Sequence, residues 1–121
     1  MLAKVLIVDD HKPTRDQVRA LLGDHRIEVC GEAENGEQAV ERAKQLQPDI
    51  VILDINMPVM NGVQAAYEIR KSAPYSKIVF FTIHDTPEQQ VAARLLGIEE
   101  FVAKSVAGTQ LIPTIKRLMD G

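Results

Sequence analysis

Five short apolar runs, each of a length typical of a buried β-strand, recur along the chain at intervals of roughly two dozen residues. They are Val5–Val8, Ile27–Cys30, Ile50–Leu53, Ile78–Phe81 and Phe101–Ala103. After each run, apolar residues repeat at the i, i+3, i+4 spacing of an amphipathic helix. Pro13 and Pro87 suit the first turn of a helix, and Gly23 and Gly97 suit a helix end. This strict alternation predicts a parallel sheet with right-handed crossovers.

We predict an α/β fold of three layers, with a five-stranded parallel sheet of flavodoxin-like order 2-1-3-4-5 and five helices. The winding has to reverse once, because helices must cover both faces of the sheet. Pro113 fits the last helix only if that helix begins close before it, near Thr109. With 121 residues, the chain has the length of one domain, so residues 1–121 are expected to form a single unit.

Composition and charge disfavour several classes of function. The net charge of -3 gives no electrostatic footprint for nucleic acid, so we expect no direct nucleic-acid contact by this chain. The longest apolar runs are far shorter than a bilayer span and the first residues lack a signal-peptide core, which predicts a cytoplasmic protein without membrane contact. Cys30 is the only cysteine, so no internal disulfide can form, and we interpret it as a packed thiol.

Polar residues stand where the predicted strands end. In open α/β sheets, ligands bind beyond the carboxyl ends of the strands, at the point where the winding reverses. The residues at this edge are Asp9, Asp10, Asp54, Thr82 and Lys104. A single aspartate after a strand is usually a turn former or a helix cap. Five such residues at corresponding strand ends favour a functional site instead.

The three carboxylates have no histidine or cysteine ligand pattern nearby, which favours a hard divalent cation, Mg²⁺, over zinc. Such a cation would offset the repulsion between Asp9 and Asp10 and would keep coordination positions open for phosphate oxygens. Asp54 stands alone at a strand end and is therefore the best candidate for a nucleophile of aspartyl-phosphate chemistry. Lys104 is predicted to balance the charge of the phosphoryl oxygens, and the Thr82 hydroxyl to donate to one of them.

Four motifs closely resemble the receiver domain of two-component response regulators. They are V-L-I-V-D-D-H, I-V-I-L-D-I-N-M-P-V-M-N-G, I-V-F-F-T-I-H and F-V-A-K-S, which follow the order and spacing of that family. The resemblance implies that Asp54 accepts a phosphoryl group from a sensor histidine kinase or a histidine phosphotransfer protein. It also implies that Asp10 and Asp54 bind Mg²⁺ directly, Asp9 through water, and Asn56 through its backbone carbonyl.

The same resemblance implies a switch and an output. Phe101 matches an aromatic residue that moves inward when Thr82 engages the phosphoryl group, and the alternative is an ordinary core aromatic. The chain end looks most like receivers that precede a helix-turn-helix output domain, and we expect no output domain in this chain. The expected role is a phosphorylation-activated signalling switch, not a metabolic enzyme, that regulates transcription through a domain absent here. We also expect phosphorylation to favour a homodimer.

Several positions depart from the family pattern, and two of them directly follow predicted site residues. Ser105 follows Lys104 where many receivers have a cis proline. Ile83 is bulkier than the small residue usual after the threonine and can crowd the entry to Asp54. A degenerate receiver that acts as a constitutive interaction module therefore stays open as an alternative. A small phosphatase is a weaker one, because Asn56 breaks the D-x-D-x-[TV] motif of dehalogenase-like enzymes.

The three histidines, His11, His25 and His84, lack the spacing of metal ligands. We interpret them as solvated or locally hydrogen-bonded loop residues and not as phosphodonors. His84 is expected to lie near enough to the phosphoryl site to tune hydrolysis.

Overall fold

The computed structural model describes residues 3–83, 86–98 and 100–120. Within these residues the strands are β1 (Lys4–Val8), β2 (Glu28–Ala33), β3 (Ile50–Leu53), β4 (Lys77–Thr82) and β5 (Glu100–Ala103). The helices are α1 (Lys12–Gly23), α2 (Gly36–Leu46), α3 (Gly62–Ser72), α4 (Pro87–Leu95) and α5 (Ala107–Asp120). A 3-10 turn, Lys104–Val106, joins β5 to α5. His84 lies outside the described residues, so its expected role stays a prediction.

The sheet has the predicted topology, with parallel strands in the order β2-β1-β3-β4-β5. The winding reverses beside β1, because the chain passes outward to β2 and then returns to β3 on the other side. Val8 pairs with Leu53 at the ends of β1 and β3, and Thr82 pairs with Ala103 at the ends of β4 and β5. The residues that follow these strands therefore lie along one edge of the sheet.

Two apolar layers hold helices on opposite faces of the sheet. Successive side chains of a strand point to opposite faces, so the neighbours Ile52 and Leu53 belong to different layers. Helices α2, α3 and α4 cover the layer of Leu53, and α1 and α5 cover the layer of Ile52. Every residue of β3 is buried, which explains its continuous apolar run.

The edge strand β2 is longer than predicted. The apolar run predicted Ile27–Cys30, whereas the strand spans Glu28–Ala33 and includes the polar Glu32. Its pairing register with β1 shifts by one residue opposite Val5 and Leu6. An edge strand has one neighbour and stays partly exposed, so polar residues are tolerated and the apolar pattern understates its length. The other four strands agree with prediction to within one residue at each end.

Helix α5 begins earlier than predicted. It starts at Ala107, directly after the 3-10 turn, and not near Thr109, so Pro113 lies inside the helix. Proline lacks an N–H and its ring opposes the carbonyl four residues earlier, which is that of Thr109. The disturbed hydrogen bond is therefore in the first turns, while Leu111 and Ile115 on the same helix are buried against the sheet.

The other signals at helix ends agree with the structure. Pro13 and Pro87 stand in the first turns of α1 and α4, and Gly97 has a φ of 74° just after α4. Among the described residues no peptide bond is cis, so the Lys104–Ser105 bond is trans. Across the same residues, none of the helices has the length and apolar character needed to cross a bilayer.

Candidate functional site

Three carboxylates meet at the carboxyl edge of the sheet. Asp9 and Asp10 directly follow β1, and Asp54 directly follows β3. One carboxylate oxygen from each residue lies within 4.8 Å of the others. Asp9 and Asp54 are only 1% and 4% exposed, whereas Asp10 faces solvent. The structure thus brings the three predicted acidic residues together, with two of them inside the protein.

Lys104 brings a positive charge to the two buried carboxylates. Its Nζ lies 2.7 Å from Asp9 Oδ2 and 3.3 Å from Asp54 Oδ2. Burial lowers the pKa of Lys104, but its contact with Asp9 and the charge of Asp54 outweigh burial and raise that pKa above its ordinary value. The ammonium is therefore charged at neutral pH and compensates two anions that have lost most of their water.

The environment of Asp54 pulls its pKa in two directions. Burial is the largest influence and raises the pKa, Lys104 lowers it, and the charge of Asp9 raises it again. The backbone N–H of Asn56 donates to Asp54 Oδ1 at 3.2 Å, which also lowers the pKa. The net result is a pKa above the ordinary value of an aspartate. Lys104 is thus the main group that keeps this carboxylate ionised.

Asp9 is held at both its side chain and its backbone. Its Oδ1 accepts a hydrogen bond from the backbone N–H of His11 at 2.9 Å. Its own N–H donates to the carbonyl of Ala33 at the end of β2, at 3.0 Å. Its carbonyl accepts a hydrogen bond from Arg15 Nη1 at 2.6 Å. The sequence did not predict this contact of Arg15, because the spacing of a single arginine on a helix does not indicate a contact to the preceding loop.

An open cleft of about 500 Å³ lies in front of the carboxylates. It is lined by Asp10, His11, Thr14, Asp54, Asn56, Thr82, Ile83 and Lys104. Thr82 is 3% exposed, whereas Ile83 is 69% exposed at the wall of the cleft. Asp54 lines the cleft beside Ile83, so this bulky side chain does not seal the carboxylate from outside. His11 lies in a loop, with its Nδ1 2.8 Å from Thr14 Oγ1, as expected of a locally hydrogen-bonded histidine.

Asn56 and Phe101 lie in different places. Asn56 lines the cleft, and its Oδ1 accepts a hydrogen bond from Gln89 Nε2 of α4 at 3.4 Å. Phe101 lies in β5, outside the cleft lining, half-buried and packed on Phe80 with ring centroids 5.4 Å apart. This packing is compatible with both interpretations of Phe101, and its role as a switch stays a prediction.

Gly62 contributes to the site, although the sequence did not predict this role. A Cβ atom at this position would lie 2.3 Å from the carbonyl oxygen of Asp54 and 2.6 Å from Cα of Ile55. The Gly62 N–H donates to the Ile55 carbonyl at 2.7 Å. The first residue of α3 therefore packs directly on the backbone that carries Asp54. The sequence does hold a signal for this position, because Gly62 directly follows a residue typical of a helix N-cap, Asn61. Asn61 caps α3 by accepting a hydrogen bond from the Gln64 N–H.

The donor set fits a hard divalent cation. The site offers carboxylate oxygens from three residues, and no histidine or cysteine joins the cluster within the described part of the chain. Three carboxylates and the Lys104 ammonium leave a net charge of about -2, which a divalent cation such as Mg²⁺ would balance. Because Asp10 is exposed, such an ion would stay accessible from the cleft.

Comparison with known proteins agrees with this geometry. The chain matches the response regulator receiver domain over residues 5–116. It is 35% identical over 118 residues to protein CcdB of Bacillus subtilis, covering 98% of each chain. It is 34% identical over 120 residues to the nitrate/nitrite response regulator protein NarL of Escherichia coli, covering 98% of this chain and 56% of NarL.

A solved structure leads to the same family. The crystal structure of a two-component response regulator of the LuxR family from Aurantimonas superposes with a TM-score of 0.92 at 28% identity. The match covers 100% of this chain and 87% of that one. The chain thus spans nearly all of CcdB but only about half of NarL. Because the family match extends over residues 5–116, the chain belongs to the response regulator receiver domain family.

Proposed function

We propose that the chain is a phosphorylation-activated signalling switch and that Asp54 is its phosphoacceptor. One observation carries this proposal. Of the three clustered carboxylates, Asp54 alone is both buried and part of the cleft lining, because Asp9 is buried behind the cleft and Asp10 is exposed. A nucleophile needs access to its substrate together with partial removal from water, and Asp54 combines the two.

The proposed donor is a phosphohistidine of a sensor histidine kinase or of a histidine phosphotransfer protein. A carboxylate oxygen of Asp54 attacks the phosphorus atom, so that an O–P bond forms as the N–P bond breaks. The imidazole leaves with the electron pair of that bond and takes up a proton. The Lys104 ammonium would balance the charge on the phosphoryl oxygens, and the Thr82 hydroxyl would donate a hydrogen bond to one of them. Neither side chain would form or break a covalent bond during the transfer.

We further propose that Asp10 and Asp54 bind Mg²⁺ directly, together with the backbone carbonyl of Asn56. When bound, this cation supplies positive charge that stabilises the transferring phosphoryl group. Asp9 would contact it only through water. The place of Asp9 supports this assignment, since Asp9 is 1% exposed and lies outside the cleft lining, whereas Asp10 and Asp54 both line the cleft.

The proposed product is a changed surface and not a released metabolite. Thr82 would be drawn toward the phosphoryl group, and Phe101 would rotate into the space behind it. The chain spans only 56% of the response regulator NarL, which supports a separate output domain in proteins of this kind, and regulation of transcription through such a domain is part of the proposal. Formation of a homodimer on phosphorylation belongs to the same proposal. The alternative of a constitutive interaction module is disfavoured by the access to Asp54 that the cleft provides.

The test is intact-mass measurement after incubation with acetyl phosphate and MgCl₂. The unmodified chain should gain one base-labile phosphoryl adduct, and EDTA should suppress it. Asp54→Asn should gain none. Asp16→Asn, which alters an exposed aspartate on α1, is the matched control and should gain the adduct as the unmodified chain does. An adduct that persists in Asp54→Asn would assign the nucleophile to another residue.

A further inference from the structure

Arg15 of α1 joins the loop of Asp9 and Asp10 to the neighbouring strand β2. Its side chain is 12% exposed. Nη1 donates to the carbonyl of Asp9 at 2.6 Å, and Nε donates to Glu32 Oε1 of β2 at 2.9 Å. A guanidinium presents its donors in one rigid plane, so two acceptors bound by the same group are fixed relative to each other. Arg15 thereby fixes the Asp9 carbonyl relative to β2.

Glu32 is itself held from two helices. Its Oε2 accepts hydrogen bonds from Nε and Nη2 of Arg19 on α1, at 2.9 and 2.6 Å. Its backbone carbonyl accepts from Arg42 Nη1 of α2 at 2.8 Å. Burial raises the pKa of Glu32, but the hydrogen bonds from Arg19 and Arg15 outweigh it and lower the pKa overall. The acceptor that orients Arg15 is thus a charged and well-anchored carboxylate.

The carbonyl that Arg15 holds belongs to the peptide between the two adjacent aspartates. The carbonyl of Asp9 and the N–H of Asp10 lie in one rigid peptide plane. The other side of Asp9 is fixed by its N–H, which donates to Ala33 at 3.0 Å. With both sides of Asp9 held, the peptide plane that leads into Asp10 is set, and so is the position of the Asp10 Cα from which its side chain starts.

We propose that Arg15 is a positioning residue that orients the Asp9–Asp10 peptide for binding of the divalent cation, with Glu32 holding its guanidinium. This inference rests on the proposed function, because it requires the carboxylate cluster to bind Mg²⁺. The competing explanation is that Arg15 only ties α1 to β2. Arg19 separates the two explanations, since within the described residues it bonds to Glu32 from the same helix but not to Asp9.

The experiment is a titration of the ¹⁵N-labelled chain with MgCl₂, followed by amide resonances in two-dimensional NMR. In Arg15→Gln we expect the Mg²⁺ dissociation constant to rise about 10- to 100-fold, as for other residues that orient metal ligands. The Asp10 amide resonance of the metal-free variant should also move. Arg19→Gln should lose clearly less affinity. Arg117→Gln, which removes an arginine–glutamate bridge between α5 and Glu100, should lose none.

The spectrum of each variant first establishes that it is folded. If Arg15→Gln does not fold, Arg15→Lys and Glu32→Gln take its place. Both should weaken Mg²⁺ binding, because lysine offers one nitrogen where arginine bonds two acceptors, and glutamine removes the negative charge that holds the Arg15 guanidinium. A folded Arg15 variant with unchanged Mg²⁺ affinity, or an equal loss in Arg19→Gln, would overturn the positioning role alone. Failure of the unmodified chain to bind Mg²⁺ would overturn the proposed metal site and this inference together.

Discussion

Replacing Lys104 with methionine would remove the ammonium that two buried carboxylates share. Methionine keeps a long unbranched side chain, so the change is mainly one of charge. The Nζ atom lies 2.7 Å from Asp9 Oδ2 and 3.3 Å from Asp54 Oδ2, and the lysine side chain is only 17% exposed. In metal-free buffer the variant would leave the two anions facing each other without a cation.

The size of the effect follows from these distances. At an effective dielectric constant of about 20, the two contacts of 2.7 and 3.3 Å correspond to attractions of about 6 and about 5 kcal/mol. The cost of burying the three charged groups offsets much of that attraction. Removing one partner of a buried pair typically costs about 3–5 kcal/mol, because the remaining charge stays buried and uncompensated. We expect Lys104→Met to lower the free energy of unfolding by about this amount at pH 7.

The loss should depend on pH in a defined direction. Burial raises the pKa of Asp54, and Lys104 lowers it. Removing Lys104 therefore leaves the Asp54 pKa higher in the variant than in the unmodified chain. The folded variant would therefore hold a proton at pH values where the unfolded chain, with an aspartate pKa of about 3.9, has released it. Stability then falls as pH rises from about 4 through the folded pKa. The deficit relative to the unmodified chain should be small near pH 4 and large at pH 7.

Urea unfolding followed by circular dichroism, in EDTA at several pH values, measures this deficit. Lys12→Met is the matched control, because it removes an exposed lysine that pairs with Asp16 four residues away on α1. Such a surface pair should contribute no more than about 0.5 kcal/mol. A deficit for Lys104→Met that is no larger than that of Lys12→Met, or that does not grow between pH 4 and 7, would refute the charge argument.

Two other substitutions test the metal site and the switch. Asp10→Asn should raise the melting temperature of the metal-free chain. The gain in the free energy of unfolding should be less than about 1 kcal/mol, because Asp10 is exposed. The variant should also lose the Mg²⁺-dependent rise in melting temperature that calorimetry measures. Lower metal-free stability would mean that the Asp9–Asp10 pair is structural. Thr82→Ala should still be phosphorylated at Asp54 but should lose most of the phosphorylation-dependent NMR shifts around Phe101 and α5. Full-sized shifts at Phe101 in that variant would reject coupling through the hydroxyl.

The sequence predicted the sheet well because its three central strands, β1, β3 and β4, are largely buried and apolar. β3 is buried at every position and matches the predicted run, and the strand order follows from the need to cover both faces. The two errors have different causes. β2 is an edge strand whose polar Glu32 does not follow an apolar pattern, and α5 accommodates Pro113 two residues deeper than expected. In β2, partial exposure weakens the apolar pattern, whereas in α5 the burial of Leu111 and Ile115 against the sheet outweighs the local signal of Pro113.

Part of the site could be predicted, because the residues that directly follow parallel strands lie at one edge of the sheet. Asp9, Asp10 and Asp54 meet as expected, and Lys104 reaches two of them. Contacts made by residues away from strand ends could not be foreseen. The Arg15 hydrogen bond to the Asp9 carbonyl depends on a side-chain direction that helix spacing does not specify. The predicted cytoplasmic location and the single-domain organisation of residues 1–121 stay predictions.

The most direct test of Asp54 as the phosphoacceptor is to map the residue that carries the phosphoryl group. The chain is treated with acetyl phosphate and MgCl₂, and borohydride then reduces the acyl phosphate, which converts a phosphorylated aspartate to homoserine. Peptide mass spectrometry locates the converted residue. We expect homoserine at position 54, with aspartate retained at positions 9 and 10. Conversion at Asp9 or Asp10, or no conversion of Asp54 under conditions that modify a known receiver, would contradict this expectation.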